Sequence, residues 1–433
     1  MRTGILLCLL AFMLVISGCS SQKKVNSKDL DGIAESYVRL VLALGQHDAG
    51  YVDAYYGPKK WQTDIQQQTL DDILSSATAL IEQLNQVEVS SEELVVLRHR
   101  YLLRQLGALS AYVKMLKGER WSFDKESQAL YDAVAPTHTR EHFQKIVDQI
   151  DELLVKDGAE GDSFIERIEN FRKEFIIPPK KLDAVFKRAI EACRERTQKY
   201  IDLPEGESFV VEYVTDKPWS GYNWYQGNYH SLIQVNTDLP IFISRAIDLA
   251  CHEGYPGHHL YNTLLEKHLV RDKSWVEYSV YPLYSPQSLI AEGSANFGIQ
   301  MAFPGDSRWQ FERDYLFPIA GLNPKRAELY YKIEEAMSGL SYAGNEAARR
   351  YLDGDINADA AARWLTSYSA MAPARARQRV KFIDTYRSYV INYNLGKDLV
   401  RQHIEKEAGS VDDQRWKVFA ELLSSPRLPS DLK

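Results

Sequence analysis

Four cysteines in 433 residues exclude a disulfide-built scaffold, and no run of apolar residues is long enough for a permanent membrane span. A surplus of positive charge is also missing. Lys and Arg number 52 against 59 Asp and Glu, a net charge of −7 that repels phosphate backbones and excludes nucleic acid as a partner. No G-x-x-x-x-G-K-[ST] or G-x-G-x-x-G run is present, so no nucleotide cofactor is expected, and no G-x-S-x-G elbow signals a serine hydrolase. Glycine and proline, at 24 and 16, are too few for disorder or a collagen-like repeat. What is abundant is tyrosine, with 26 residues spread along the chain, which suggests an interior lined with polar groups.

The amino terminus is the first segment with a definite reading. Arg2 precedes the apolar stretch Ile5 to Ile16, which has the length of a secretion signal. The stretch ends Ile16-Ser17-Gly18-Cys19 and resembles the lipobox of bacterial lipoproteins, so residues 1–18 are expected to be removed and Cys19 to be acylated. Ser20 in place of Asp favours the outer membrane of a Gram-negative envelope, facing the periplasm, with residues 19–27 as a tether. Cys8 leaves with the signal and Cys19 carries the lipid. Cys193 and Cys251 remain, to be paired in an oxidising compartment or held as buried thiols.

From residue 28 to 433 the apolar residues recur three and four apart, as in Leu70–Leu84, Leu94–Leu109 and Phe143–Leu154. The fold class is therefore mainly α with a small β-sheet, arranged as one domain or two closely packed lobes. Two β-type runs, Phe209–Val214 and His230–Asn236, flank an aromatic, glycine-containing loop and place the sheet near residues 208–238. Helices are expected to follow at about 240–260 and 287–301.

The chemistry concentrates in His252-Glu253-Gly254-Tyr255-Pro256-Gly257-His258-His259. It reads as a zinc-peptidase H-E-x-x-H helix that has been stretched, in which two His one turn apart bind the metal and the Glu is the general base. Pro256 stands where the second His would be, and its ring clashes with the carbonyl of His252, so the helix must kink or bulge. On an undistorted helix His258 falls at about 600° and His259 at about 700°, which favours His259 as second ligand. If Pro256-Gly257 is a two-residue insertion, His258 takes that place and His259 contacts the ligands or the substrate, which is the preferred arrangement. Glu292 is the candidate third ligand, in Ala291-Glu292-Gly293-Ser294-Ala295-Asn296, whose small residues allow close helix packing; Asn296, one turn on, could orient it.

The H-E-G-Y-P-G-H-H and A-E-G-S-A-N-F runs resemble those of the bacterial DUF885 family, regarded as zinc-dependent hydrolases related to gluzincin metallopeptidases. Asp48-Ala49-Gly50-Tyr51-Val52-Asp53-Ala54-Tyr55-Tyr56-Gly57-Pro58 and Lys217-Pro218-Trp219-Ser220-Gly221-Tyr222-Asn223-Trp224-Tyr225 extend the resemblance over most of the mature chain. It implies a zincin-like helical architecture with one Zn²⁺ held by His252, His258 and Glu292, and Glu253 as catalytic base. The chain departs from many members at Ser294, where they carry Trp.

Zinc would acidify a water, Glu253 would accept its proton, and a donor is needed for the developing oxyanion. Tyr393 is the candidate, in a stripe with Tyr386 and Tyr389 beside Arg387; the alternative is simple aromatic packing. An edge strand at 231–236 could pair with an extended peptide substrate, making Gln234, Asn236, Asn223 and Tyr225 cleft residues. The expected function is a zinc-dependent peptidase of the cell envelope. Its alternatives are a metal-dependent esterase or amidase, and a metal-containing lipoprotein without turnover.

Overall fold

The computed structural model describes residues 30–87 and 91–433, so the signal segment, Cys19 and the tether lie outside the described residues. The chain is mainly α-helical with a small β component. Helix α1 (Asp31–Leu44) leads to strand β1 (Val52–Tyr55), and the long α2 (Glu93–Leu116) packs in the same region. Helix α3 (Leu182–Thr197) precedes a sheet of β2 (Ser208–Val214), β3 (Gly221–Gly227) and β4 (His230–Asn236). Next come α4 (Ser244–Leu249), α5 (His258–Leu265), strand β5 (Val280–Pro282), α6 (Pro286–Ala302), α7 (Pro373–Tyr386) and α8 (Ile391–Ala408). One apolar core extends from Leu30 to Leu432, with a small satellite around Leu365.

Two expectations about the β structure need correction. The loop foreseen between the β-type runs contains β3, whose order in the sheet is β2-β4-β3, antiparallel to β4, while β2 runs parallel to β4. Its aromatic and glycine content hid a strand whose buried residues Asn223 and Tyr225 alternate with the exposed Trp224 and Gln226. In consequence β4 is the central strand. Its backbone groups are committed on both sides, so the segment 231–236 cannot add a substrate strand. A separate antiparallel pair, β1 with β5, was not foreseen; β5 spans three residues, too few for a periodic pattern.

Helix α6 is buried on almost every side, its polar residues Gln287, Ser288, Glu292 and Ser294 included. Ser285 precedes it in extended conformation and Pro286 occupies its first turn, where a missing amide hydrogen costs nothing. It crosses α8 at Gly293 and Gly396. A Cβ on Gly293 would come within 2.4 Å of the Gly396 backbone, so only glycine permits this approach, which sets the position of the adjacent Glu292.

Candidate metal centre

The histidine-rich segment is broken as Pro256 requires. After α4 the backbone widens into a π-helical turn, Ala250–Gly254, then leaves the helix through Tyr255 and a cis Tyr255–Pro256 bond, and α5 starts at His258. At Gly257 a Cβ would fall 1.9 Å from the His252 carbonyl oxygen, so this close return of the chain is open to glycine alone. Cys193 of α3 and Cys251 are joined in a disulfide, Cα atoms 5.5 Å apart, which ties the turn to α3 and resolves the two alternatives for these residues.

The break brings His258, rather than His259, to His252. Their rings stand edge to face with centroids 4.6 Å apart. From α6, Glu292 Oε2 lies 3.2 Å from His252 Nε2 and 3.8 Å from His258 Nε2. Among the described residues these three form the one group of at least three His, Cys, Asp or Glu whose ligand atoms all lie within 4.8 Å of one another. Glu292 Oε2 makes no hydrogen bond although buried, and a cation between it and the two nitrogens would satisfy it. The other oxygen, Oε1, accepts a hydrogen bond from Tyr389 at 2.9 Å. The donor set of two imidazoles and one carboxylate fits Zn²⁺.

His259 is turned the other way and fully buried. Its Nδ1 meets Ser231 Oγ at 2.8 Å and its Nε2 meets Glu207 Oε2 at 2.9 Å, so neither nitrogen is left for a metal. Glu207 also pairs with Arg194 at 2.5 Å and accepts from Tyr255, which anchors the broken segment to the sheet. The sequence held no sign of Glu207, which lies 45 residues before His252 in an unremarkable turn.

Electrostatics follow from enclosure. Burial pushes the Glu253 carboxyl up to about 7, with His252 opposing and Glu292 reinforcing the shift. Burial, then the charge of His252, pulls His258 down to about 4, leaving a neutral ring whose lone pair can bind a metal. At His252 burial also disfavours the charged form, but Glu292 and Glu253 outweigh it and the pKa is raised. Burial opposes ionisation of Glu292 too, and the facing histidines together with Tyr389 reverse the balance, so its pKa is lowered.

Glu253 points toward β3. A Cβ on Gly221 would lie 2.9 Å from Glu253 Oε1, and Asn223 Nδ2 donates to the Glu253 backbone oxygen at 2.7 Å. Glu253 Oε2 is buried without a partner. Asp53 of β1 was also missed. Burial, then the charges of Glu292 and Glu253, push its carboxyl up to about 8, and Tyr222 donates a hydrogen bond to it. Its only trace in the sequence was the run Asp48–Pro58.

The tyrosine stripe is not one helix. Tyr386 ends α7, Arg387 adopts a positive φ of 51°, and Tyr393 belongs to α8. The rings still meet, with centroids of Tyr386–Tyr389 at 6.1 Å and Tyr389–Tyr393 at 5.8 Å. Tyr389 is the ring that touches Glu292. Burial raises the pKa of Tyr393, as do the charges of Glu292 and Glu253, while Arg379 opposes them. Asn296 Nδ2 donates to the Tyr393 carbonyl at 3.2 Å rather than to a metal-site residue.

The remaining candidates are engaged elsewhere. Arg387 pairs with Glu126 at 2.7 Å, and the Tyr225 hydroxyl donates to Glu266 at 2.6 Å. Gln234 bridges Trp224 and Glu212 on the sheet surface, and Asn236 closes a turn through the carbonyls of Lys217 and Trp219. These groups satisfy turn and strand polarity, the ordinary use of such residues.

No helix of the described residues is long and apolar enough to cross a membrane. No family model and no curated protein matches the chain, so the DUF885 resemblance rests on the quoted residues alone. The fold is shared with a solved structure named "putative lipoprotein" from Colwellia psychrerythraea, at TM-score 0.52 and 14% identity over 95% of this chain and 76% of that one. A lipoprotein of unknown function from Shewanella oneidensis aligns at TM-score 0.46 and 14% identity, over 86% of this chain and 74% of that one.

Proposed function

We propose that the protein is a zinc-dependent hydrolase of peptide or peptide-like amide bonds, held in the cell envelope through an acylated Cys19. One observation carries the reading: the buried Glu292 Oε2 converges with Nε2 of His252 at 3.2 Å and of His258 at 3.8 Å, beside an unpartnered carboxylate oxygen on Glu253. When bound, zinc would acidify a water and polarise the scissile carbonyl. A three-residue donor set next to a free carboxylate suits an open catalytic site, whereas structural zinc closes with four ligands and has no use for a base.

Glu253, a buried carboxylate with an unpartnered oxygen beside the three ligands, would accept a proton from an attacking water and return it to the leaving amine. Tyr393, which keeps its phenol proton across the physiological range, donates a hydrogen bond to the developing oxyanion. An ester leaving group would use the same steps. A cell-envelope location is supported by the Ile16-Ser17-Gly18-Cys19 run and by the structure named "putative lipoprotein" from Colwellia that shares the fold, and Ser20 after the Cys favours the periplasmic face of the outer membrane.

Elemental analysis of the full chain tests the centre. About one zinc per chain, lost in His258→Ala and retained in His259→Ala, is expected. Glu253→Gln should keep the metal and lose peptide hydrolysis. Absence of zinc after loading, or a Glu253→Gln protein as active as the parent, would leave a lipoprotein without this chemistry.

A further inference from the structure

Beside the metal centre stands a group of cations that the mechanism does not use. Arg379, on α7, is partly buried, and among the described residues no carboxylate pairs with it. Its guanidinium lies over the rings of Phe382 at 4.4 Å and Tyr393 at 5.9 Å. Tyr393 packs on Tyr389, which donates to Glu292, so three contacts connect this charge to the metal centre. One turn earlier on the same face is Arg375, which is exposed to solvent and feels the charges of Arg245 and Arg172. The Arg245 charge in turn reaches His252 and Glu253.

Asp248 is the acidic counterweight here, and it is already shared by Arg245 at 3.1 Å and Arg308 at 2.9 Å. Arg379 is a partly buried cation with two ring faces and, among the described residues, no anion against it, and enclosure depresses its pKa. Such a charge is costly to keep unless something supplies the missing partner.

We infer that Arg379, set over the Tyr393 ring beside the metal centre, receives a substrate carboxylate, which makes the substrates short peptides or peptide-like amides with a free carboxyl end. The inference rests on the amide-hydrolase reading above and names the substrate class. A planar guanidinium matches a carboxylate through two parallel hydrogen bonds, and an uncharged amide end forfeits both the charge and one acceptor.

The test separates this inference from the reading beneath it. The full chain, zinc-loaded and carrying Glu253→Gln to stop turnover, is titrated with tetra-alanine and with tetra-alanine amide. The amide should bind about ten- to a hundredfold more weakly. Arg379→Gln should weaken the free acid by a similar factor and leave the amide unchanged, and Arg379→Lys should recover part of the loss. Equal binding of the two peptides, no binding of either at millimolar concentration, or an Arg379→Gln protein that loses both alike would overturn the inference. Turnover of the same peptides by the parent protein decides the other question: binding selective for the acid without hydrolysis keeps the carboxylate site and removes the hydrolase.

Discussion

Replacing Gly221 by Ala offers a way to move the proposed base without touching a metal ligand. Gly221 opens β3 and its φ is outside the left-handed region, so the backbone accepts alanine and only space is at issue. The added Cβ would stand 2.7 Å from Leu249 Cδ2 and 2.9 Å from Glu253 Oε1. Contact between such atoms is comfortable at about 3.5–4 Å, so the Glu253 carboxylate must retreat by roughly half an ångström or more. Both neighbours are ends of side chains and can yield, which limits the stability loss to about 1 kcal/mol. Catalysis is less forgiving, since a displacement near 1 Å costs on the order of 10²-fold. The expected result is kcat/KM on a peptide substrate reduced by about 10–100-fold, with zinc content unchanged because His252, His258 and Glu292 are not among the atoms the new methyl meets. Activity within about threefold of the parent would refute the role given to Glu253's position. Loss of zinc would show that the strand supports the ligands rather than the base.

Other expectations can be checked by simpler measurements. Asp53 is an acid whose folded-state pKa, about 8, lies above its unfolded value, so the folded state binds the extra proton and stability falls as pH rises from about 4 through 8. Metal-free Asp53→Asn should therefore gain thermal stability over the parent at pH 8 and little at pH 5; an equal difference at both would refute the assignment. Arg98 and Glu277 form a fully buried bidentate pair, 2.6 and 3.1 Å, that joins α2 to the segment before β5. Glu277→Ala leaves the guanidinium there with one buried partner fewer and should cost about 3–5 kcal/mol in denaturant unfolding. Removing the Cys193–Cys251 link by double alanine substitution reopens a 58-residue separation and should cost about 2–4 kcal/mol, read by the same unfolding curves.

How far the site was legible depended on whether a residue's role was local or distributed. The break at Pro256 could be foreseen because the clash of a proline ring with the carbonyl four residues earlier is fixed by covalent geometry. Choosing between His258 and His259 required the path of the chain through that break, which depends on a π-helical turn, a glycine return and the burial of His259 against Glu207, none of them periodic in sequence. Glu292 could be picked out because small residues surround it, and its neighbour Gly293 proves to be the crossing point with Gly396 of a helix about a hundred residues away. The strand β3 was masked by tyrosines, tryptophans and glycines that read as a loop until β4 was present to pair with them. Asp53, Gly221 and Arg379 share one property: each matters through a neighbour distant in sequence, so its residue type alone carried no signal. Arg379 shows why the gap runs in that direction. An arginine on a helix is ordinarily solvated, and what sets this one apart, its place over the Tyr393 ring with no carboxylate against it among the described residues, is a fact about the packed cleft and not about residue type.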